Sequence, residues 1–170
     1  MSLLTRILNA LFLTTARLFL VAWIGGAALF VVITIAEQRM PELDSIAKDR
    51  LATIRFPLYY LYGAICLSTA ITATGLAITS TPRGNRKKLT AGFALCVLSA
   101  AIVGYDYVAV YLPLQHTISP PGQVRGPDFL KLHKQSELIN KVHLSCSLLA
   151  ASLICLPARP AAAQRAKNSA

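Results

Sequence analysis

Long runs without a charged residue constrain this chain more than any other feature. Residues 18–36 and 56–82 contain no Asp, Glu, Lys or Arg, and residues 89–112 contain only Asp106. A helix needs roughly 20 predominantly apolar residues to cross the hydrocarbon core of a bilayer. Hydrophobic residues make up 55% of the chain, which is more than a soluble domain usually carries. The sequence therefore predicts an all-α integral membrane protein.

A fourth crossing is predicted nearer the C-terminus. Residues 142–156 are uncharged, and the segment reaches spanning length once residues 138–141 are added, with the amine of Lys141 extending outward. We therefore expect one domain over residues 1–170, a four-helix bundle with spans at about 18–37, 56–80, 89–112 and 133–156.

The segments between the spans carry weaker patterns. Apolar residues recur at helical spacing in residues 40–55, which predicts a short amphipathic helix in the first outer loop. Phe56 and Pro57 are expected to open the second span. Residues 113–127 are rich in Pro and Gly and predict an irregular loop, after which Asp128 is the expected N-cap of the last helix. Residues 158–170 are expected to be disordered.

The net charge of +10 comes from Lys and Arg residues that lie beside the apolar runs, so they indicate orientation in a membrane rather than binding of nucleic acid. The basic cluster in residues 83–88 predicts that this loop and both termini are cytoplasmic. The predicted location is the plasma (cytoplasmic) membrane, with several crossings. The expected partners are the lipid bilayer and either a second copy of the chain or another membrane protein.

The last span carries a narrow row of polar side chains. Its members are His133, Ser136, Asn140, His143 and Ser147. On a helix these residues occupy an arc roughly 80° wide. Hydrocarbon offers no hydrogen-bond partner, so this row, which we call the polar seam, should face the other helices.

Other polar residues are expected at the same outer end of the bundle. They are Glu37, Tyr59, Tyr60, Tyr105 and Asp106. Asp106 is a candidate because an ionisable residue within a span is usually functional. The tyrosines also fit an aromatic belt at the level of the lipid headgroups. His143 and Cys146, three residues apart, are candidate metal ligands.

Three functions fit these residues. The leading one is a non-enzymatic membrane protein that binds a small ligand, a lipid headgroup or a metal ion at the polar seam. The second is a redox subunit associated with haem or a quinone through His133 or His143. The third is a structural or partner-binding protein in which the seam fastens helices together. The sequence contains no phosphate-binding loop or nucleophile elbow, so no catalytic residue is predicted, and it does not identify a cofactor.

Three short motifs resemble those of the transmembrane protein 205-like family, a group of small four-helix membrane proteins. The motifs are Trp23-Ile24-Gly25-Gly26 followed by Phe30, Phe56-Pro57-x-Tyr59-Tyr60, and Phe129-x-x-Leu132-His133-x-x-Ser136-x-x-x-Asn140. The resemblance covers roughly residues 18–155. It implies the four-helix membrane architecture, and it implies no particular activity, because the family has no agreed one.

Overall fold

The computed structural model describes residues 2–81 and 83–156, without the side chains of residues 83–85. It confirms an all-helical chain over these residues. The helices are α1 (Leu3–Arg39), α2 (Ser45–Ser80), α3 (Arg83–Tyr105), a π-helical segment (Asp106–Tyr111), α4 (Leu112–Thr117) and α5 (Pro127–Cys155). The tail predicted to be disordered, residues 158–170, lies outside the described residues.

Four of the described helical stretches are long and apolar enough to cross a membrane. They are α1, α2, the continuous stretch Arg86–Thr117 and α5. The helices are longer than the apolar runs that predicted them: α1 has 37 residues, or about 55 Å at 1.5 Å per residue. Their outward surfaces carry exposed apolar side chains such as Leu29, Leu61 and Leu148, as a lipid-facing surface requires.

Two predictions about the start of α2 differ from the structure. Residues 40–55 were predicted to contain a separate amphipathic helix, whereas residues 45–55 are the first turns of α2, with Asp44 as the N-cap. Pro57 does not open a helix, since α2 continues through it. A proline removes one backbone N–H, and the helix tolerates that single loss because it is held on both sides by packed turns.

The connection before the last helix also differs. Helix α4 extends to Thr117, so the predicted irregular loop is shorter than expected. The N-cap of α5 is Gly126, and Asp128 lies in the first turn, where a carboxylate still favours the positive end of the helix dipole. The connection is fastened to the start of α2 by Asp49, which accepts hydrogen bonds from the backbone of Gly122 at 2.9 Å and from Arg125 at 3.0 Å.

The core of the bundle is built around Trp23, whose side chain is fully buried. Its ring packs against the ring of Tyr59 at 5.2 Å between centroids and against that of His143 at 5.7 Å. Gly63 of α2 lies directly over the indole, and its missing side chain makes the space for it. The close approach of α1 to α2 therefore depends on a glycine facing a tryptophan, as is common where lipid removes the hydrophobic drive for association.

Replacing Gly63 by Ala should destabilise the bundle by about 1–3 kcal/mol, because the added methyl would lie 2.7 Å from two indole carbons that cannot move away. Gly25 of α1 is the control, since a methyl group there meets nothing within 4 Å. We expect Gly25→Ala to be neutral or slightly stabilising. Reversible unfolding in mixed detergent micelles measures both, and equal stabilities of the two variants would contradict this packing.

Candidate functional site

Side chains from three of the spans meet at a buried carboxylate. Asp106, the first residue of the π-helical segment, is 1% exposed. One of its oxygens, Oδ2, accepts hydrogen bonds from the hydroxyl of Tyr60 at 2.6 Å and from that of Ser136 at 3.2 Å. The carboxylate thus joins α2, the π-helical segment and α5.

A second polar centre lies one turn further along α5, at Asn140. Its carbonyl oxygen Oδ1 accepts a hydrogen bond from the hydroxyl of Tyr59 at 2.8 Å and lies 2.9 Å from Nε2 of His143. Because this oxygen only accepts, Nε2 carries the hydrogen. The Asn140 amide in turn donates to the backbone carbonyl of Ser136 at 3.1 Å, which connects the two centres.

The end of the polar seam nearest the C-terminus, at Ser147, joins α5 to α3. The hydroxyl of Ser99 in α3 lies 2.7 Å from the hydroxyl of Ser147 and donates to the backbone carbonyl of His143 at 3.0 Å. All three residues are buried. Small hydroxyl side chains let α3 and α5 approach closely while keeping their own polar groups paired.

Several buried polar atoms of this region have no partner. They are Oδ1 of Asp106, Nδ1 of His143, the hydroxyl of Tyr111 and Nε1 of Trp23. Asp106 also takes part in none of the ion pairs within the described residues, which join Glu37 to Arg55, Asp49 to Arg125 and His133 to Glu137. The buried side chain of Asp106 therefore has no basic partner in ion-pair contact, and one of its oxygens has no hydrogen-bond partner.

The π-helical segment brings aromatic rings up to this carboxylate. Tyr60, Tyr107 and Tyr111 pack against one another, with centroids between 5.0 and 5.6 Å apart. Leu112 donates its N–H to the carbonyl of Tyr107, five residues earlier, which is the wider π-type turn. Such turns occur often at functional sites, because they shift the side chains that follow them around the helix.

The structure divides the predicted site residues into two groups. Ser136, Asn140, His143, Asp106, Tyr59 and Tyr60 form the interior network described above. The remaining candidates lie apart from it. His133 is half exposed, stacks on Phe129 at 5.6 Å and contacts Glu137 at 3.3 Å. Tyr105 is 56% exposed on the outside of the bundle. Glu37 is paired with Arg55 at 2.5 Å.

The candidate metal pair, His143 and Cys146, has no third metal-binding side chain beside it in the described part of the chain. Cys146 is partly buried on the same helix as His143. Among the described residues, no three His, Cys, Asp or Glu side chains are grouped to hold a metal ion. The interior offers one carboxylate and several hydroxyls instead.

Three residues of the interior were not predicted from sequence as part of the site: Ser99, Tyr111 and Trp23. Ser99 is a hydroxyl in the middle of an apolar run, which is a signal for an inward-facing position but not for a particular partner. Tyr111 fits an aromatic belt equally well by sequence, and its burial follows from the π-type turn, which no sequence pattern indicated.

These features define the class: four helices of membrane-spanning length and composition that enclose a polar interior at one end. Comparison of the chain with protein-family models, with curated proteins and with solved structures finds no match. The similarity to the transmembrane protein 205-like family therefore stays a prediction.

Replacing Asn140 by Ala should cost about 2 kcal/mol or more, because it leaves the Tyr59 hydroxyl and the His143 imidazole buried without a partner. His133→Ala, on the same helix, should change stability by less than about 0.5 kcal/mol, since His133 is half exposed. Unfolding of both variants in the same micelles measures this difference. Equal losses would place His133 in the network and contradict the arrangement described.

Proposed function

We propose that this chain is a non-enzymatic, multi-pass membrane protein that binds a monovalent cation at Asp106. The observation that carries the proposal is the buried carboxylate with one unpartnered oxygen and no basic neighbour in ion-pair contact. Moving a charged group from water into a protein interior costs about several kcal/mol, even after the protein relaxes around it. A bound cation offsets this cost because its charge attracts the carboxylate.

The chemistry of the interior favours a singly charged ligand. Divalent cations in proteins usually recruit several carboxylates, and transition metals prefer imidazole and thiolate ligands. The interior has one carboxylate, with the hydroxyls of Tyr60 and Ser136 fixing its orientation. One negative charge balances one positive charge, so no net charge is left in the bundle.

The irregular helix at Asp106 supports the same function. π-Helical turns inside a longer helix occur frequently at functional sites. The backbone here stays hydrogen-bonded through the wider π-type turn, so a ligand would meet side chains rather than free backbone groups. Asp106 begins the segment, which ends at Tyr111, whose buried hydroxyl has no partner.

A second candidate function is structural. The contacts that favour it are those around Ser99, Ser147 and Asn140, where the polar groups pair with one another and bind α5 to α2 and α3. On this interpretation Asp106 is a further fastening between Tyr60 and Ser136. The two functions differ in what removal of the Asp106 charge does to stability.

The redox function predicted as an alternative has less support. The side chain of His133 is half exposed, whereas Nε2 of His143 is hydrogen-bonded to Asn140 and its ring is stacked against Trp23.

A location in the plasma membrane, with both termini cytoplasmic, remains part of the proposal. It rests on the basic residues of the loop between α2 and α3.

We expect Asp106→Asn to be at least as stable as the wild type when N-methylglucamine, a bulky hydrophilic cation, is the only salt cation. The variant keeps an oxygen for Tyr60 and Ser136 and loses an uncompensated charge. Adding sodium, potassium or tetramethylammonium at constant ionic strength should raise the Tm of the wild type and leave the Tm of the variant unchanged.

Asp49→Asn is the matched control, because Asp49 is equally buried but is paired with Arg125. It should lose about 1–2 kcal/mol in every salt, and its Tm should respond to the added cations as the wild type does. The cation proposal fails if Asp106→Asn is destabilised like Asp49→Asn and no cation distinguishes it from the wild type. That outcome supports the structural function.

A further inference from the structure

A groove on the surface of the bundle leads to the tyrosine that holds Asp106. It lies between α2 and α3, has a volume of about 500 Å³ and is lined almost entirely by apolar residues. Leu61, Ala64 and Gly104 line it and are exposed on the outer surface of the bundle, so it opens sideways toward lipid rather than along the axis of the bundle. The volume lies within the range of pockets that enclose small organic ligands.

Two tyrosines give the groove a polar end. Tyr60 and Tyr107 both line it, with their rings 5.1 Å apart. The hydroxyl of Tyr60 donates to Asp106 at 2.6 Å, so the carboxylate lies at the hydroxyl end of a ring that lines the groove, although Asp106 itself does not line it. An aromatic face attracts a cation, and a negative charge nearby strengthens the attraction in a medium of low dielectric constant.

We propose that the cation bound by this protein is a lipophilic organic cation that enters from the bilayer through the groove. The inference rests on the proposed function and names its class of ligand. The apolar body of such a molecule occupies the space beside Leu61, Ala64 and Leu67. Its quaternary or tertiary centre lies against Tyr60 and Tyr107 and is neutralised by Asp106.

The shape and charge of the site favour this class over a hydrated inorganic ion. An inorganic ion leaves the apolar groove empty and has to shed its water before it reaches a group that is 1% exposed, so we expect it to bind more weakly than a lipophilic cation. A lipophilic cation already concentrates at the membrane, and its apolar body packs against the apolar walls of the groove. A neutral lipid chain also fits these walls, but it supplies no counter-charge for Asp106.

The test uses tritium-labelled tetraphenylphosphonium and the full chain in lipid nanodiscs, with empty nanodiscs to subtract partition into lipid. We expect saturable binding that excess unlabelled tetraphenylphosphonium displaces and that triphenylmethanol, a neutral molecule of related shape, does not. Asp106→Asn should weaken the binding at least about tenfold, since it removes the counter-charge.

Two glycines provide the decisive comparison. Gly104 lines the groove and Gly25 lies on the exposed face of α1, and a Cβ at either position meets nothing within 4 Å. The Cβ of a leucine at position 104 therefore meets no neighbour, and the rest of the side chain adds bulk to the wall of the groove. A leucine at position 25 adds the same bulk away from the groove. Gly104→Leu should weaken tetraphenylphosphonium binding at least about tenfold, and Gly25→Leu should leave it within about twofold of the wild type. Melting curves of both variants test whether they fold.

The outcomes separate this inference from the function on which it rests. If no saturable binding occurs, or if Gly104→Leu and Gly25→Leu bind equally, the groove is not the site and the inference is overturned. The function survives that result if small cations still raise the Tm of the wild type and not that of Asp106→Asn. If Asp106→Asn changes neither the binding of tetraphenylphosphonium nor the response to small cations, both proposals fail together.

Discussion

Three tyrosine hydroxyls near the middle of α2 fix the arrangement of the bundle. Tyr59 donates to Asn140 of α5, Tyr60 to Asp106 of the π-helical segment, and Tyr62 to the carbonyl of Ala22 in α1 at 2.7 Å. Residues along a helix point about 100° apart, so three closely spaced tyrosines reach three different neighbours. In hydrocarbon no water replaces a lost partner, and each hydroxyl therefore specifies where the adjacent helix must lie.

The architecture was predictable because it follows from one strong rule. Uncharged runs of spanning length have few alternatives to membrane helices, and the four long apolar helices of the structure contain the predicted segments almost completely. The ends were less predictable. Apolar residues at helical spacing in residues 40–55 indicate a helix, but they do not reveal that it continues through Pro57 into the apolar run. Continuity is decided by packing on both sides of the proline.

The polar seam shows why helical spacing predicts part of a site and not all of it. Relative to His133, the positions of His143, Ser136, Ser147 and Asn140 fall at about 280°, 300°, 320° and 340° around the helix. The first three are buried, Asn140 is partly buried and His133, at the edge of the arc, is exposed. Spacing identifies the arc, but only the neighbours decide where its buried part ends.

The free oxygen of Asp106 is harder to explain by structure alone than the rest of the network. The side chains of Ser99 and Ser147 pair with each other, and the Asn140 amide has a partner at both its oxygen and its nitrogen, as a contact that only joins helices should. At Asp106, by contrast, the hydroxyls of Tyr60 and Ser136 both donate to Oδ2, and Oδ1 has no donor. A serine or an asparagine joins helices with no charge to bury, so a carboxylate is a costly choice for that purpose. Because Tyr60 both holds this carboxylate and lines the groove, a molecule in the groove contacts the same side chain that orients the charge. The interior and the lipid-facing surface are thereby connected through one residue.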